Sequence, residues 1–469
     1  LDEAHHWLLG RDSTSFSNLL HNTRYEGHPL FWNILLFYIT RITSNPFWMQ
    51  FLHIIVSTTT VIIFLKKAPF NWIFKGLFIF SYFMFFEYNI ISRNYALGLL
   101  FIILACSMYN KRKEKFTLLC IYLAIAINTH LIFSVLAFGI YCTLIFESIT
   151  IDAKNSKLLL SKGSIIIILA ILFCLIQVIP PIDTYFFEKN EHLSFIERTR
   201  IGFTSFFKGL FTIPDFRTIH FWNSNIIVNI NKTVAASLCL IVYIIPYLLF
   251  RKNKVSLFFS YTTLFGINIF YYITQLSSTR QFGITFIILI VALWIHYEWY
   301  KNNNEFKQYT LSKYIVYFIL IVQFLSGIYT YGMDIKYPFA SSKRVSEIIN
   351  ENNLAGIAVV TSFCEGTIFS PYLKKKVYFL CGDDYASFCN WNQHFNCDYT
   401  NDAILEKLSK LQINKTVLFI ANESIFGNLN ISEWHNVNKF YKAKPIASLG
   451  VSVLKKLSNY QIYLLEFKQ

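Results

Sequence analysis

Charged residues are scarce in this chain, and those that could do chemistry gather in a few places between apolar runs. The N-terminal stretch holds Asp2, Glu3, His5, His6, Arg11, Asp12, Arg24, Glu26 and His28. Glu87, Tyr88 and Asn89, then Ser92-Arg93-Asn94-Tyr95, follow a later apolar run, and Asn128 and His130 sit in a short break between two others. A long polar segment carries Glu188, Glu191, His192, Glu197, Arg198 and Arg200, and a last short one carries Arg280 and Gln281. Ionisable groups kept beside so much apolar sequence are costly and mark function. A set that mixes carboxylates with Arg and His suits transfer of a sugar from a lipid-linked phosphate. Arg and His bind and stabilise the anionic leaving group, and a carboxylate takes the proton of the attacking acceptor. No Gly-rich phosphate loop is present, so a nucleotide donor is not expected.

The elements that must position these residues are membrane helices. The chain has 469 residues, 54% hydrophobic and 15% charged, with mean hydropathy +0.42. An ordinary soluble domain has about 25% charged residues. About ten runs reach or approach the length of a bilayer-spanning helix: Pro46–Leu65, Phe70–Phe86, Tyr95–Tyr109, Phe116–Asn128, Leu131–Phe146, Ser164–Pro180, Ile226–Phe250, Val255–Ile273, Phe282–Tyr300 and Tyr314–Tyr331. The formal net charge of +15 is no sign of nucleic-acid binding, because the basic residues cluster at alternate junctions of these runs. The clusters are Lys66-Lys67; Lys111-Arg112-Lys113 with Lys115; Lys154, Lys157 and Lys162; Arg251-Lys252 with Lys254; and Lys301 with Lys307. The positive-inside bias makes those junctions cytoplasmic and turns the chemistry-bearing ones outward.

Pro29–Thr43 is apolar but short, and places Asn33, Thr40, Arg41 and Ser44 on one helical face. It reads as an amphipathic helix on the outer membrane surface. A helix from about Ser15 to Arg24, capped by Ser13 or Thr14, is expected before it. The organisation is thus an outward catalytic loop over 1–45, a transmembrane module over 46–332 and an α/β domain over 333–469. In the last, Gly356–Thr361, Lys376–Leu380, Thr416–Ile420 and Gln461–Phe467 read as strands, and Ser341–Asn352 and Asp402–Leu411 as helices. Cys106, Cys120, Cys142, Cys174 and Cys239 lie in apolar runs and read as small core residues. Cys364, Cys381, Cys389 and Cys397 lie in the polar region, where an extracytoplasmic setting favours disulfides, with the pairing open. They form no CxxC pair, which argues against zinc.

The order of motifs carries a resemblance. Asp2-Glu3 on an outward segment, then His28-Pro29-Leu30, then an Arg-x-Tyr turn at Arg93-Asn94-Tyr95, resembles the GT-C superfamily of lipid-phosphosugar-dependent glycosyltransferases. The nearest likeness is to the protein O-mannosyltransferases and the aminoarabinose transferases. The His-Pro-Pro-Leu element of the former stands here with one Pro missing, and the Glu-Lys-Pro of the latter reads Glu26-Gly27-His28-Pro29, without the Lys. The resemblance implies a polytopic α-helical membrane enzyme with an inverting mechanism and a polyprenyl-phosphate sugar as donor. It implies Asp2 as the catalytic carboxylate, Glu3 as its helper, and Glu26, His28, Arg93, Tyr95, His130 and Arg280 as the substrate- and phosphate-binding set. It also implies that a first transmembrane helix precedes Leu1. High Ile, Lys, Asn and Phe content points to an AT-rich bacterial genome, hence an inner membrane with the site and the C-terminal domain on the periplasmic face.

Other readings stay open on sequence alone. His5, His6 and Glu26 could hold a divalent cation, although their spacing is no recognised ligand pattern. A transporter or flippase of a lipid-linked solute would also carry buried charge, but nearer the bilayer midplane and in repeated halves. A polysaccharide polymerase or ligase would place its essential residues in the long Pro181–Asn225 segment.

Overall fold

The computed structural model describes residues 2–150, 161–184, 194–274, 278–303, 310–362, 364–373, 375–389, 391–392, 400–411, 415–421, 425–427, 429–454 and 460–468; the side chains of Asp2 and of residues 302–312 lie outside that description. Glu188, Glu191, His192 and Cys397 fall outside the described residues.

The N-terminal stretch is helical rather than a loop. Helix α1 (Asp2–Asp12) starts on its acidic pair and ends near Arg11, in keeping with the helix dipole. It buries Trp7, Leu8 and Leu9. Helix α2 (Phe16–Thr23) is capped by Ser15, whose hydroxyl accepts from the Asn18 amide. Helix α3 (Phe31–Ile42) has twelve residues, a rise of about 18 Å, short of a hydrocarbon core of about 30 Å. Its polar face turns to α1. Arg41 donates to the carbonyls of Gly10 (2.7 Å) and Ser13 (3.0 Å), satisfying orphan acceptors at the end of α1. The approach is close: a Cβ at Gly10 would lie 3.0 Å from the Leu36 backbone.

Helices α4 (Phe47–Lys67), α5 (Trp72–Ile79), α6 (Asn94–Ser107), α7 (Phe116–Ile127), α8 (Leu131–Thr150) and α9 (Lys162–Val178) follow. The Phe70–Phe86 run does not form one helix. It breaks at Phe80–Ser81 and continues as a π-helical turn, Tyr82–Glu87. The break faces Gly327, where a Cβ would collide with the Phe80 carbonyl. Helix α10 (Phe195–Leu210) lies in the long polar segment and carries a Ser194–Glu197 capping box. Short α11 (Ile226–Ile230), then α12 (Lys232–Phe250), α13 (Lys254–Thr274), α14 (Thr279–Phe282), α15 (Ile284–Asn303) and α16 (Thr310–Lys336) complete the helical module.

Among the described residues, six helical segments are long and apolar enough to cross a bilayer: Phe47–Lys67, Leu131–Thr150, Lys232–Phe250, Lys254–Thr274, Thr279–Lys301 and Lys313–Lys336. This is a multi-pass membrane protein. The shorter apolar helices include α6, α7 and α9. The last spanning helix runs on to Lys336, a little past the expected boundary.

The C-terminal region is a mixed sheet of seven described strands: β1 (Ala358–Thr361), β2 (Val377–Phe379), β3 (Asp384–Ala386), β4 (Thr416–Ala421), β5 (His435–Asn436), β6 (Tyr441–Ser448) and β7 (Gln461–Phe467), in the order β3-β2-β1-β4-β7-β6-β5. β1 runs parallel to β2 and β4; the other pairs are antiparallel. Alternate residues of β4 feed opposite faces. Leu418 and Ile420 join Val345 and Ile349 of α17 (Ser342–Glu351) and Phe369 of α18 (Gly366–Leu373). Val417 and Phe419 join Leu408 of α19 (Asn401–Ser409). Cys364 and Cys389 form a disulfide, and Cys381 is disulfide-bonded as well.

Candidate functional site

Three chain connections bring the chemistry-bearing residues to one end of the helical module. The Leu30 amide donates to Gln177 Oε1 at the end of α9 (2.6 Å) and the Phe31 amide to the Asn128 carbonyl (3.2 Å), which holds His28-Pro29-Leu30 against α9 and the α7–α8 turn. Asn94 Nδ2 donates to the Thr129 carbonyl (2.9 Å), which ties the start of α6 to the same turn. Tyr88 Oη donates to the Arg280 carbonyl (2.8 Å), which brings in α14.

Helix α1 is fastened to the Arg-x-Tyr turn by two side chains three residues apart, on one helical face. Glu3 Oε1 accepts from the Ser92 amide (2.5 Å). His6 Nε2 lies 3.1 Å from Arg93 Nη2, and His6 Nδ1 lies 2.7 Å from Asn33 Oδ1. Since a guanidinium only donates, His6 accepts on Nε2 and carries its proton on Nδ1, which donates to Asn33. His6 is therefore neutral. Burial pushes its pKa well below the ordinary histidine value, and the positive charge of Arg93 pushes the same way.

Tyr95 is the hub of the cluster. The Arg93 Cζ lies 5.7 Å and the Arg280 Cζ 6.0 Å from its ring centroid, within cation–π range. His130 packs against Tyr95 at 4.4 Å and His28 against His130 at 4.4 Å; Tyr88 stacks on Tyr95 at 5.6 Å. His130 is fully buried, and its Nδ1 accepts from the Ile132 amide. Its pKa is held well below the ordinary value by burial first, then by His28, Arg93, Arg280 and His6. The proton of this neutral ring accordingly sits on Nε2, a buried N–H with no hydrogen-bond partner among the described residues. Glu87, at the end of the π-helical turn, accepts from Tyr82 Oη (2.8 Å). Burial raises its pKa to about 7, against the pull of Arg280 and Tyr82.

Glu3 and Arg280 open onto one cavity of about 590 Å³, between α1, the start of α4, the long polar segment and the C-terminal domain. Trp222 and His220 form one wall, Tyr372 of α18 another, and Gln50 of α4 marks the side toward the lipid-facing helices. The Arg280 Cζ lies 5.7 Å from the Trp222 ring. The C-terminal domain is held there by a hydrogen bond from His220 Nδ1 to the Val453 carbonyl (3.2 Å) and by packing of Phe388 on His5 (5.5 Å between ring centroids).

Of the residues expected at the site, Arg93, Tyr95, His130, His28 and Arg280 form one cluster, and Glu3 joins it through Ser92 and the shared cavity. Asp2 begins α1 next to Glu3, but its side chain lies outside the described residues. Glu26 does not face the arginines. It pairs with His5 (2.5 Å) in a buried contact. Arg198 and Arg200 lie on α10 and do not line the cavity. Among the described residues no group of three or more His, Cys, Asp or Glu is arranged to hold a metal ion. His5 turns to Glu26 and His6 to Arg93, so the described side chains make no shared cation site of the two histidines. Sequence reasoning missed Trp222 and Tyr372. Each is one aromatic residue among many, and only the tertiary fold sets it beside Glu3. The chain matches no protein-family model, no curated protein and no solved structure.

Proposed function

We propose that this protein is a membrane glycosyltransferase that moves a sugar, with inversion, from a polyprenyl-phosphate donor to an extracytoplasmic acceptor. The observation that carries the proposal is the shared cavity: a carboxylate, Glu3, and a guanidinium, Arg280, open onto the same space, with a second guanidinium, Arg93, against the same Tyr95 ring. Group transfer from a phosphate needs both charges, one for the leaving group and one for the incoming hydroxyl.

In this mechanism the donor phosphate lies against Arg280 and Arg93, with His28 and the His130 Nε2–H as further donors. The acceptor oxygen attacks the anomeric carbon from the face opposite the phosphate. The bond from that carbon to the phosphate oxygen breaks, the phosphate keeps the electron pair, and the acceptor proton passes to the Asp2 carboxylate. Glu3 is a positioning residue: its bond to the Ser92 amide sets the turn that presents Arg93. The sugar's polyprenyl tail leaves the cavity past Gln50 toward lipid.

The finer topology belongs to the same proposal: about ten crossings of a bacterial inner membrane, with α5 to α7 and α9 completing the set as short spans, and this end of the bundle on the periplasmic side. The Cys364–Cys389 disulfide supports that orientation, because structural disulfides persist in oxidising compartments.

The test is Asp2→Asn in the full chain, reconstituted with polyprenyl-phosphate sugars and a panel of acceptors. Transfer is expected to disappear while the melting curve stays in place. Undiminished transfer in that variant would remove Asp2 from the mechanism. Movement of the intact lipid-linked sugar between leaflets, with no bond broken, would give the protein to the transporters instead.

A further inference from the structure

The far ends of the same helices enclose a second cavity, of about 280 Å³. It opens where α12 passes into the Arg251-Lys252 turn, between the start of α5, the last turns of α15 and the first turns of α16. Arg251, Lys252 and Lys313 line it, and no Asp or Glu does so among the described residues. Its deeper walls are apolar, made by Phe70, Phe74, Leu249, Leu293 and Val316.

The remaining polar lining adds hydrogen-bond donors. Asn253 Nδ2 donates to His296 Nδ1 (3.3 Å), so the neutral ring carries its proton on Nε2. Asn71 is held at the start of α5 by accepting from the Phe74 amide (2.9 Å), and its side chain bonds to Tyr317 Oη (2.8 Å), fixing both at the rim. Lys313 Nζ lies 6.0 Å from the Tyr317 ring. The lining is thus cationic at the mouth and apolar at depth, at the ends of bilayer-spanning helices. That profile matches an amphiphile with an anionic head. Guanidinium and ammonium groups bind phosphate by charge-assisted hydrogen bonds, and basic pockets between membrane helices take lipid phosphate head groups.

We infer that this cavity is a binding site for a phosphate ester, the head group of an anionic lipid, at the opposite membrane face from the Glu3–Arg280 cavity. The site stands independently of the sugar-transfer reading.

The experiment measures binding of phosphatidic acid, phosphatidylcholine and inorganic phosphate to the full chain in detergent by native mass spectrometry. Phosphatidic acid is expected to bind in preference to phosphatidylcholine. Arg251→Gln with Lys313→Gln is expected to weaken that binding by roughly tenfold or more. Lys113→Gln with Lys115→Gln, an equal charge change at another basic junction, is expected to leave it within about twofold, since neither residue lines the cavity. Should the first pair fail to fold, Lys252→Gln alone replaces it, with a smaller loss expected. Phosphatidic acid binding without inorganic phosphate binding assigns the site to lipid. Equally tight inorganic phosphate assigns it to a free phosphate, which keeps the anion site and overturns the lipid. Equal loss in both variant pairs, or no preference over phosphatidylcholine, overturns the site itself.

Discussion

The two cavities lie at opposite ends of one helical module and differ in sign as well as size. The larger, about 590 Å³, is lined by both a carboxylate and a guanidinium and is walled on one side by the sheet domain. The smaller, about 280 Å³, is lined by cations only among the described residues, and by helix ends alone. Binding an anion needs one sign of charge. Breaking a bond to that anion with a neutral nucleophile needs both, and needs them held at a fixed separation. In the larger cavity Glu3 is tied to the Ser92 amide and Arg93 lies against a neutral His6; in the smaller, Arg251 and Lys313 line the space and no described lining residue is acidic. The difference fits the two proposals made above, transfer chemistry at the larger cavity and anion binding at the smaller.

The comparison can be broken most directly at Arg280. Arg280→Gln is expected to lower the proposed transfer by roughly 10²–10³-fold, the usual cost of a lost transition-state donor, with phosphatidic acid binding at the far cavity unchanged. Single-turnover transfer and native mass spectrometry on one preparation read both. A matching loss of lipid binding would mean the two ends are not separate sites. His6→Ala comes next. It leaves the buried Asn33 without its donor and frees Arg93 to shift, so a loss of about 1–3 kcal/mol in stability is expected, together with a fall in kcat larger than the rise in KM. Restoration by His6→Gln would mark positioning rather than acid–base chemistry.

Loosening the sheet-domain wall should have a smaller effect on the proposed transfer, though not on stability. Cys364→Ser with Cys389→Ser opens a link with a sequence separation of 25 residues, worth about 3 kcal/mol on chain-entropy grounds. The expected readout is earlier proteolysis of the C-terminal domain and a raised KM for acceptor, with lipid binding at the far cavity unaffected. The subtlest test is pH. Glu87 is protonated more readily in the fold than in the unfolded chain, with its pKa raised to about 7. Its contribution is therefore complete below the ordinary carboxylate range and is lost as pH rises through about 7. Thermal melting should shift downward over that window, and Glu87→Gln should flatten the shift. An unchanged slope in the variant would place the titration elsewhere.

Much of this arrangement was legible from pattern alone, and the gaps have physical causes. β7 (Gln461–Phe467) was readable to the residue because Ile462–Leu465 is an unbroken apolar run. β6 was not, because Pro445 interrupts it; in the fold Pro445 sits at a register shift, where a strand tolerates the missing donor. β3 and β5 are too short to show a period. α18 was hidden by Pro371, near its end. The apolar run Phe70–Phe86 reads as a span by composition, and nothing local reports that Gly327 of a distant helix packs into it at Phe80. At the site, residues flanking apolar runs were readable because charge there is conspicuous. Glu26 was misplaced because sequence gives its neighbours along the chain and not its partner, His5. Trp222 and Tyr372 had no local signal at all.

The length of α6 has a consequence for the bilayer itself. Fourteen residues rise only about 21 Å, against a hydrocarbon core of about 30 Å. In the topology proposed above α6 crosses as one of the short spans, and Arg93, at its N-cap, then sits below the head-group plane when the other end is anchored at its basic junction. On that topology the floor of the Glu3–Arg280 cavity is recessed into the membrane. The proposed lipid-linked donor would then reach the arginines by sliding sideways at its own depth, without lifting its tail out of the bilayer.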